Sequence, residues 1–185
     1  PLSLQAHPSK AQAEEGFARE NAAGIELTAS NRNYKDDNHK PELIVALTDF
    51  YAMAGFRPLA RTRELFAALE CPELDHYVAM LDDDPSATTE SANLRVLFTT
   101  DPADWKSRVM STVLDLNQRY PGDIGVLGAL LLNHIELSPG EAVYLDAGQL
   151  HAYVSGLGVE IMANSDNVLR GGLTPKFVDV PELVK

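Results

Sequence analysis

The chain has 185 residues, 45% of them hydrophobic, enough for one full core or for a core with a small inserted subdomain. Its 27 acidic residues outnumber its 15 basic ones, giving a formal charge of -12, which excludes non-specific attraction to nucleic acid or anionic lipid and leaves any anionic ligand to a local basic cluster. A single cysteine, Cys71, excludes an internal disulfide, and no apolar stretch has the length and flanks of a signal peptide or membrane span, so a reducing, cytoplasmic setting is expected.

The chain opens at Pro1, without methionine, inside an apolar run that reads as a strand, and it is therefore expected to be an excerpt of a longer protein. Alternation over residues 1–7 puts Leu2 and Leu4 on one face and Ser3, Gln5 and His7 on the other. Pro8 ends the strand, and Ser9 followed by Gln12 makes a capping box for a helix to about Asn21. A polar loop through Asp36, Asp37, Asn38, His39, Lys40, Pro41 and Glu42 leads to apolar strands over 43–50 and 51–56, with a turn near Asp49.

From Pro58 the composition turns to Leu, Ala, Glu and Arg with few β-branched residues, which predicts helices over 61–70 and 73–81. The nearest approach to a linker is the Asp-, Ser- and Thr-rich stretch 82–91. A stronger helix is expected over 102–120, capped by Asp101 before Pro102, because Trp105, Val109, Val113, Leu116 and Tyr120 form the stripe of one buried face. Residues 124–132 are a short buried helix or a strand, which periodicity leaves open. Beyond Glu136, turns at 138–140 and 147–148 separate strands over 142–145, 151–154 and 159–162, and the run 166–172, with paired glycines, reads as a loop. The order of strands, helices and strands predicts an α+β fold whose β-domain is interrupted by a helical insertion, with divisions at 1–57, 58–133 and 134–185.

Three β-associated positions offer metal ligands: the Gln5 and His7 pair, Glu42 at a strand start, and His151 after a turn. Imidazole and carboxylate suit zinc, an amide oxygen can complete the shell, and such a mixed, cysteine-free set points to a catalytic site. Singly, each is more often an ordinary hydrogen-bonded residue, and His76 and His134 are given no role. Arg170, Lys176 and Lys40 are the candidate anion binders, Arg by its planar fork and Lys as a point charge.

Taken together, PLSLQAHP (1–8), YKDDNHKPE (34–42), YPGDIGV (120–126), GEAVYLDAGQLHAY (140–153) and SDNVLRGGLTPK (165–176) resemble the type I mannose-6-phosphate isomerases, in that family's order and spacing. The resemblance covers nearly the whole chain and is weakest over about 58–111; Asp146 stands where many relatives have proline. It implies a cupin-type antiparallel β-barrel, a jelly-roll core, carrying the helical insertion. It also implies one Zn2+ per chain on Gln5, His7, Glu42 and His151, catalytic roles for Arg170, Glu160 and Lys40, and substrate contacts from Lys176, Ser3 and Asp166. The implied reaction interconverts mannose 6-phosphate and fructose 6-phosphate through a cis-enediol, in a cytoplasmic monomer whose partner is a small sugar phosphate. A non-catalytic metal-containing cupin that binds a sugar phosphate would keep the same ligands, but it does not need Arg170, Lys176, Lys40 and Glu160 together. An iron-dependent cupin dioxygenase is disfavoured by the glutamine and the basic cluster.

Overall fold

A computed structural model of the chain describes residues 3–79 and 104–185. Among these residues, eight antiparallel strands form two sheets, one of five strands in the order β4-β3-β6-β1-β8 and one of three in the order β5-β2-β7. They are β1 (Leu4–Ala6), β2 (Glu42–Ala46), β3 (Phe50–Phe56), β4 (Leu132–Leu137), β5 (Ala142–Leu145), β6 (His151–Ser155), β7 (Gly158–Met162) and β8 (Leu169–Gly172). Strands from the start of the chain thus pair with strands from its end: β1 lies between β6 and β8, and β2 lies between β5 and β7.

Helix α1 (Lys10–Ala22) begins as its sequence dictates, with the Ser9 hydroxyl and the Gln12 amide each satisfying the other residue's backbone N–H. Between β3 and β4 lie α2 (Leu59–Leu69), α3 (Pro72–Ala79), α4 (Trp105–Arg119) and the single turn α5 (Gly125–Gly128). On α4 the residues Val109, Val113 and Leu116 are buried and pack into a core with Leu4, Met53 and Leu65, which fixes the helices against the five-stranded sheet. Leu2, the stretch 82–91 and the cap at Asp101 and Pro102 lie outside the described residues. Among those described, no helix is long and apolar enough to cross a membrane.

The structure differs from the sequence reading in five places. The first paired stretch is shorter, so His7 follows β1 instead of ending it, and β2 stops at Ala46, ahead of the bend at Leu47 and Thr48. Residues 124–132 resolve into α5 and a turn, after which β4 begins at Leu132; its pairing with β3 buries Leu132, Ile135 and Leu137, while Asn133 and His134 interrupt the alternation that would have betrayed it. The run expected as a loop contains β8, because backbone pairing with β1 supplies what two glycines cannot supply by packing. A short helix α6 (Val180–Leu183), capped by Asp179, was not foreseen.

His134 is mostly buried, and its Nε2–H donates to the Ala129 carbonyl at 3.0 Å. Burial pushes its pKa down to about 4, against that hydrogen bond and with help from Arg57 nearby. The unfolded chain binds this proton near pH 6.5, so between those values unfolding takes up protons and stability falls as pH drops. The expected loss is about 2 kcal/mol by pH 5. Denaturant titrations at pH 7 and pH 5 check it: His134→Gln should lose less stability between the two pH values than the unaltered chain by that amount.

Candidate metal centre

Three buried side chains from both sheets converge: His7 after β1, Glu42 at the start of β2 and His151 at the start of β6, at 2%, 1% and 1% exposure. Glu42 Oε1 lies 3.0 Å from His7 Nε2, and Oε2 lies 3.3 Å from His151 Nε2. The tautomers follow from the other ring nitrogens. His7 Nδ1 sits 2.7 Å from the Asn167 carbonyl and His151 Nδ1 2.8 Å from the Gln149 carbonyl, and a carbonyl only accepts. Each Nδ1 therefore carries a proton, which leaves Nε2 of each ring, turned toward the carboxylate, as the atom it can offer a metal ion. His7 Nε2 is buried with no hydrogen-bond partner. Two imidazole nitrogens and a carboxylate gathered in one buried cluster, with both rings oriented from behind through Nδ1, are a donor set that fits a zinc-like divalent ion.

Burial alone would raise the pKa of Glu42, but contacts from His151, His7 and Lys40 outweigh it and hold the carboxyl well below the usual carboxylate range. Lys40 stands beside it, its Nζ 3.0 Å from Glu42 Oε1 and only 11% exposed.

Sheet register places the next group. Gln5 is the cross-strand partner of His151 on one side and of Arg170 on the other, so the three side chains share one face of the five-stranded sheet. Gln5 Nε2 lies 3.5 Å from His151 Nε2, while its Oε1 accepts a hydrogen bond from the Ser3 hydroxyl at 2.7 Å. Above the cluster opens a pocket of about 210 Å³, lined by Ser3, Gln5, Lys40, Glu42, His151, Ala152, Tyr153, Glu160 and Val168. Glu160 reaches it from β7, and burial raises its pKa, opposed by a hydrogen bond from Tyr153 and helped by the charge of Glu42. Arg170 is half-buried, and burial lowers its pKa; among the described residues no hydrogen bond or ion pair engages its guanidinium. Asp166 and Lys176 are exposed and outside the pocket lining; the backbone of Asp166 donates to Asp36, and that of Lys176 to Thr174. His39 is half-buried beside Asn38.

Two residues here escaped the sequence reading. Tyr153 donates to Glu160 Oε1 at 2.8 Å and approaches Glu42 Oε2 at 3.4 Å, and burial raises its pKa far enough that the phenol stays protonated. Its signal was present, since it stands two residues after His151 and a strand repeats its face at that spacing. Asn167, fully buried, has no such signal. Its side chain accepts from the backbone of Lys35 and Asp36 and donates to the carbonyls of Asp36 and Asn38, so it ties the loop before Glu42 to the segment whose carbonyl orients His7.

Antiparallel sheets around a buried pair of histidines and a carboxylate, open on one side to a polar pocket, define a mixed α and β protein with a site suited to a metal ion. Residues 1–59 match the family described as phosphomannose isomerase type I, catalytic domain. The mannose-6-phosphate isomerase of Escherichia coli K12 is 43% identical over 201 aligned residues, covering 100% of this chain and 50% of that protein. A crystal structure of a phosphomannose isomerase mutant from Salmonella typhimurium superposes with a TM-score of 0.78 at 41% identity, covering 100% of this chain and 50% of that one. A zinc-bound mannose 6-phosphate isomerase superposes with a TM-score of 0.75 at 42% identity and the same coverage. By sequence and by fold the chain is similar to the type I phosphomannose isomerases along its whole length. It spans about half the length of the curated relatives it matches.

Proposed function

We propose that this chain carries the zinc-binding and substrate-binding part of an isomerase that interconverts mannose 6-phosphate and fructose 6-phosphate. The observation that carries the reading is the buried His7, Glu42 and His151 cluster, with both Nε2 atoms turned to the carboxylate, at the floor of a pocket that also holds Lys40 and Glu160. Gln5 completes the set of ligands for one Zn2+ per chain once its amide turns by half a rotation, exchanging Oε1 for Nε2 and leaving its N–H to the Ser3 hydroxyl. Zinc held there supplies a Lewis acid for the sugar oxygens.

The residues of the chain account for the remainder of the chemistry. In the aldose-to-ketose direction a proton leaves C2 and one is added to O1, giving the cis-enediol; loss of the O2 proton and return of a proton to C1 complete the ketose. Glu160, on the pocket wall and hydrogen-bonded to Tyr153, is the candidate to move the carbon-bound proton, and Lys40 is the alternative or stabilises negative charge on oxygen. Arg170, with no anion engaged among the described residues, is proposed to act on the substrate from the far side of Gln5, with Lys176, Ser3 and Asp166 as further substrate contacts. Holding a distant phosphate positions the reacting carbons.

The fold proposed with this reading is a cupin-type barrel of residues 1–57 and 134–185 with a mainly helical insertion at 58–133. It is supported by the pairing of early with late strands and by the helices described between β3 and β4. A monomeric, cytoplasmic enzyme acting on a small sugar phosphate completes the proposal. The test is a coupled assay of fructose 6-phosphate formation from mannose 6-phosphate, run with zinc, with chelator and with zinc restored. Turnover lost and regained with the metal is expected. Folded, zinc-loaded protein that binds mannose 6-phosphate without turning it over would favour the non-catalytic sugar-phosphate binder instead.

A further inference from the structure

The string YPGDIGV at 120–126 takes no part in the centre described above, yet its aspartate makes an unusual set of contacts. Asp123 Oδ1 accepts from the backbone N–H of Gly125 at 2.7 Å and of Leu173 at 2.9 Å, and Oδ2 accepts from Thr174 N–H at 3.4 Å. Two segments some fifty residues apart thus share one carboxylate.

The chain it grips is the one that leaves β8 at Gly172, in the strand that carries Arg170. Gly172 has φ +139° and Leu173, fully buried, has φ 54°, the left-handed region that a leucine adopts only when its surroundings force it. The approach is close enough that glycine is required on both sides: a Cβ at Gly172 would lie 2.6 Å from Asp123 Oδ1 and 2.8 Å from Gly125 Cα, and one at Gly125 would lie 2.9 Å from Leu173 N. From this turn the chain runs to Lys176, whose N–H donates to Thr174 Oγ1 at 3.2 Å. Asp123 therefore fixes the turn between the two basic residues proposed above to receive the substrate's anionic end.

We infer that Asp123 is a positioning residue for substrate phosphate: it acts from the helical segment on the spacing and direction of Arg170 and Lys176 and touches neither substrate nor metal. The inference rests on the reading of Arg170 and Lys176 as phosphate-binding. A neutral asparagine keeps one oxygen for Gly125 and Leu173 and loses the other, so it preserves part of the effect; alanine preserves none.

Calorimetric titration of the zinc-loaded protein with mannose 6-phosphate tests this on Asp123→Ala, Asp123→Asn, Arg170→Ala and Lys176→Ala, with zinc content and the melting curve recorded for each. Misplacement of a binding group by ~1 Å can cost up to about 100-fold, so Asp123→Ala is expected to weaken binding about tenfold or more with zinc stoichiometry unchanged. Asp123→Asn should recover part of the loss, and it carries the test if the alanine variant does not fold. Normal affinity in both Asp123 variants, with weakened binding in Arg170→Ala or Lys176→Ala, would overturn the inference while leaving the phosphate site standing. Normal affinity in both basic-residue variants would overturn the phosphate site and this inference with it.

Discussion

Replacing Glu42 with glutamine is expected to lower zinc affinity by more than the roughly 10–100-fold loss that follows removal of an outer partner of a metal ligand. The substitution keeps the volume of a side chain that is 1% exposed but removes the only anion among the three buried groups that face one another. Two neutral imidazoles and an amide remain, and Lys40, whose Nζ lies 3.0 Å from the lost carboxylate, then sets a positive charge beside the ion's place without the anion that faced it. A competition titration against a chromophoric chelator measures the loss directly. Thermal unfolding gives an independent reading, because an ion that binds only the folded chain stabilises it by about 2.7 kcal/mol at 100 times its Kd. The unaltered protein should therefore melt higher when zinc is added, and the Glu42→Gln protein should show little of that rise. A variant with the full rise would place the ion away from this cluster.

Arg170→Ala is expected to cost about 100- to 1000-fold in kcat/KM, the scale of removing one preorganised charge-stabilising donor, while zinc affinity stays within a few-fold of normal. The separation of the two effects follows from the register. Arg170 shares its row with Gln5 and His151 yet hydrogen-bonds to neither, so its removal leaves the ligands where they are. Arg170→Lys should recover only part of the rate, since a point charge cannot reproduce a planar two-pronged contact. Near-normal turnover in Arg170→Ala with zinc bound would refute the assignment.

Much of this centre was legible before any coordinates. Alternation put Ser3, Gln5 and His7 on one side of the first strand, and in the fold Ser3 and Gln5 do line the pocket, while His7 lies behind it against Glu42. The capping box at Ser9 and the buried stripe of α4 were likewise written locally, in the identity of a few neighbouring residues. What the sequence concealed depends on distant partners. Asn167 is an ordinary loop asparagine until Lys35, Asp36 and Asn38 arrive to meet it, and β8 is a glycine-rich stretch until β1 offers its backbone. The strand β4 was hidden for a different reason, because His134 and Asn133 spend their polar atoms on the backbone of neighbouring segments and so stand in a strand without showing its period.

The row formed by His151, Gln5 and Arg170 also makes the centre a clock for folding. Gln5 and His151 are separated by 146 positions along the chain, and they meet only when β1 has slotted between β6 and β8. Pairings of that range close late, since the loop entropy must be met before the contact rewards it. A slip of one residue in β1 would turn Gln5 to the opposite face and take it out of reach of His151. Metal capture in a refolding experiment should accordingly coincide with the last kinetic phase, and it would count only those molecules in which β1 has found its correct alignment.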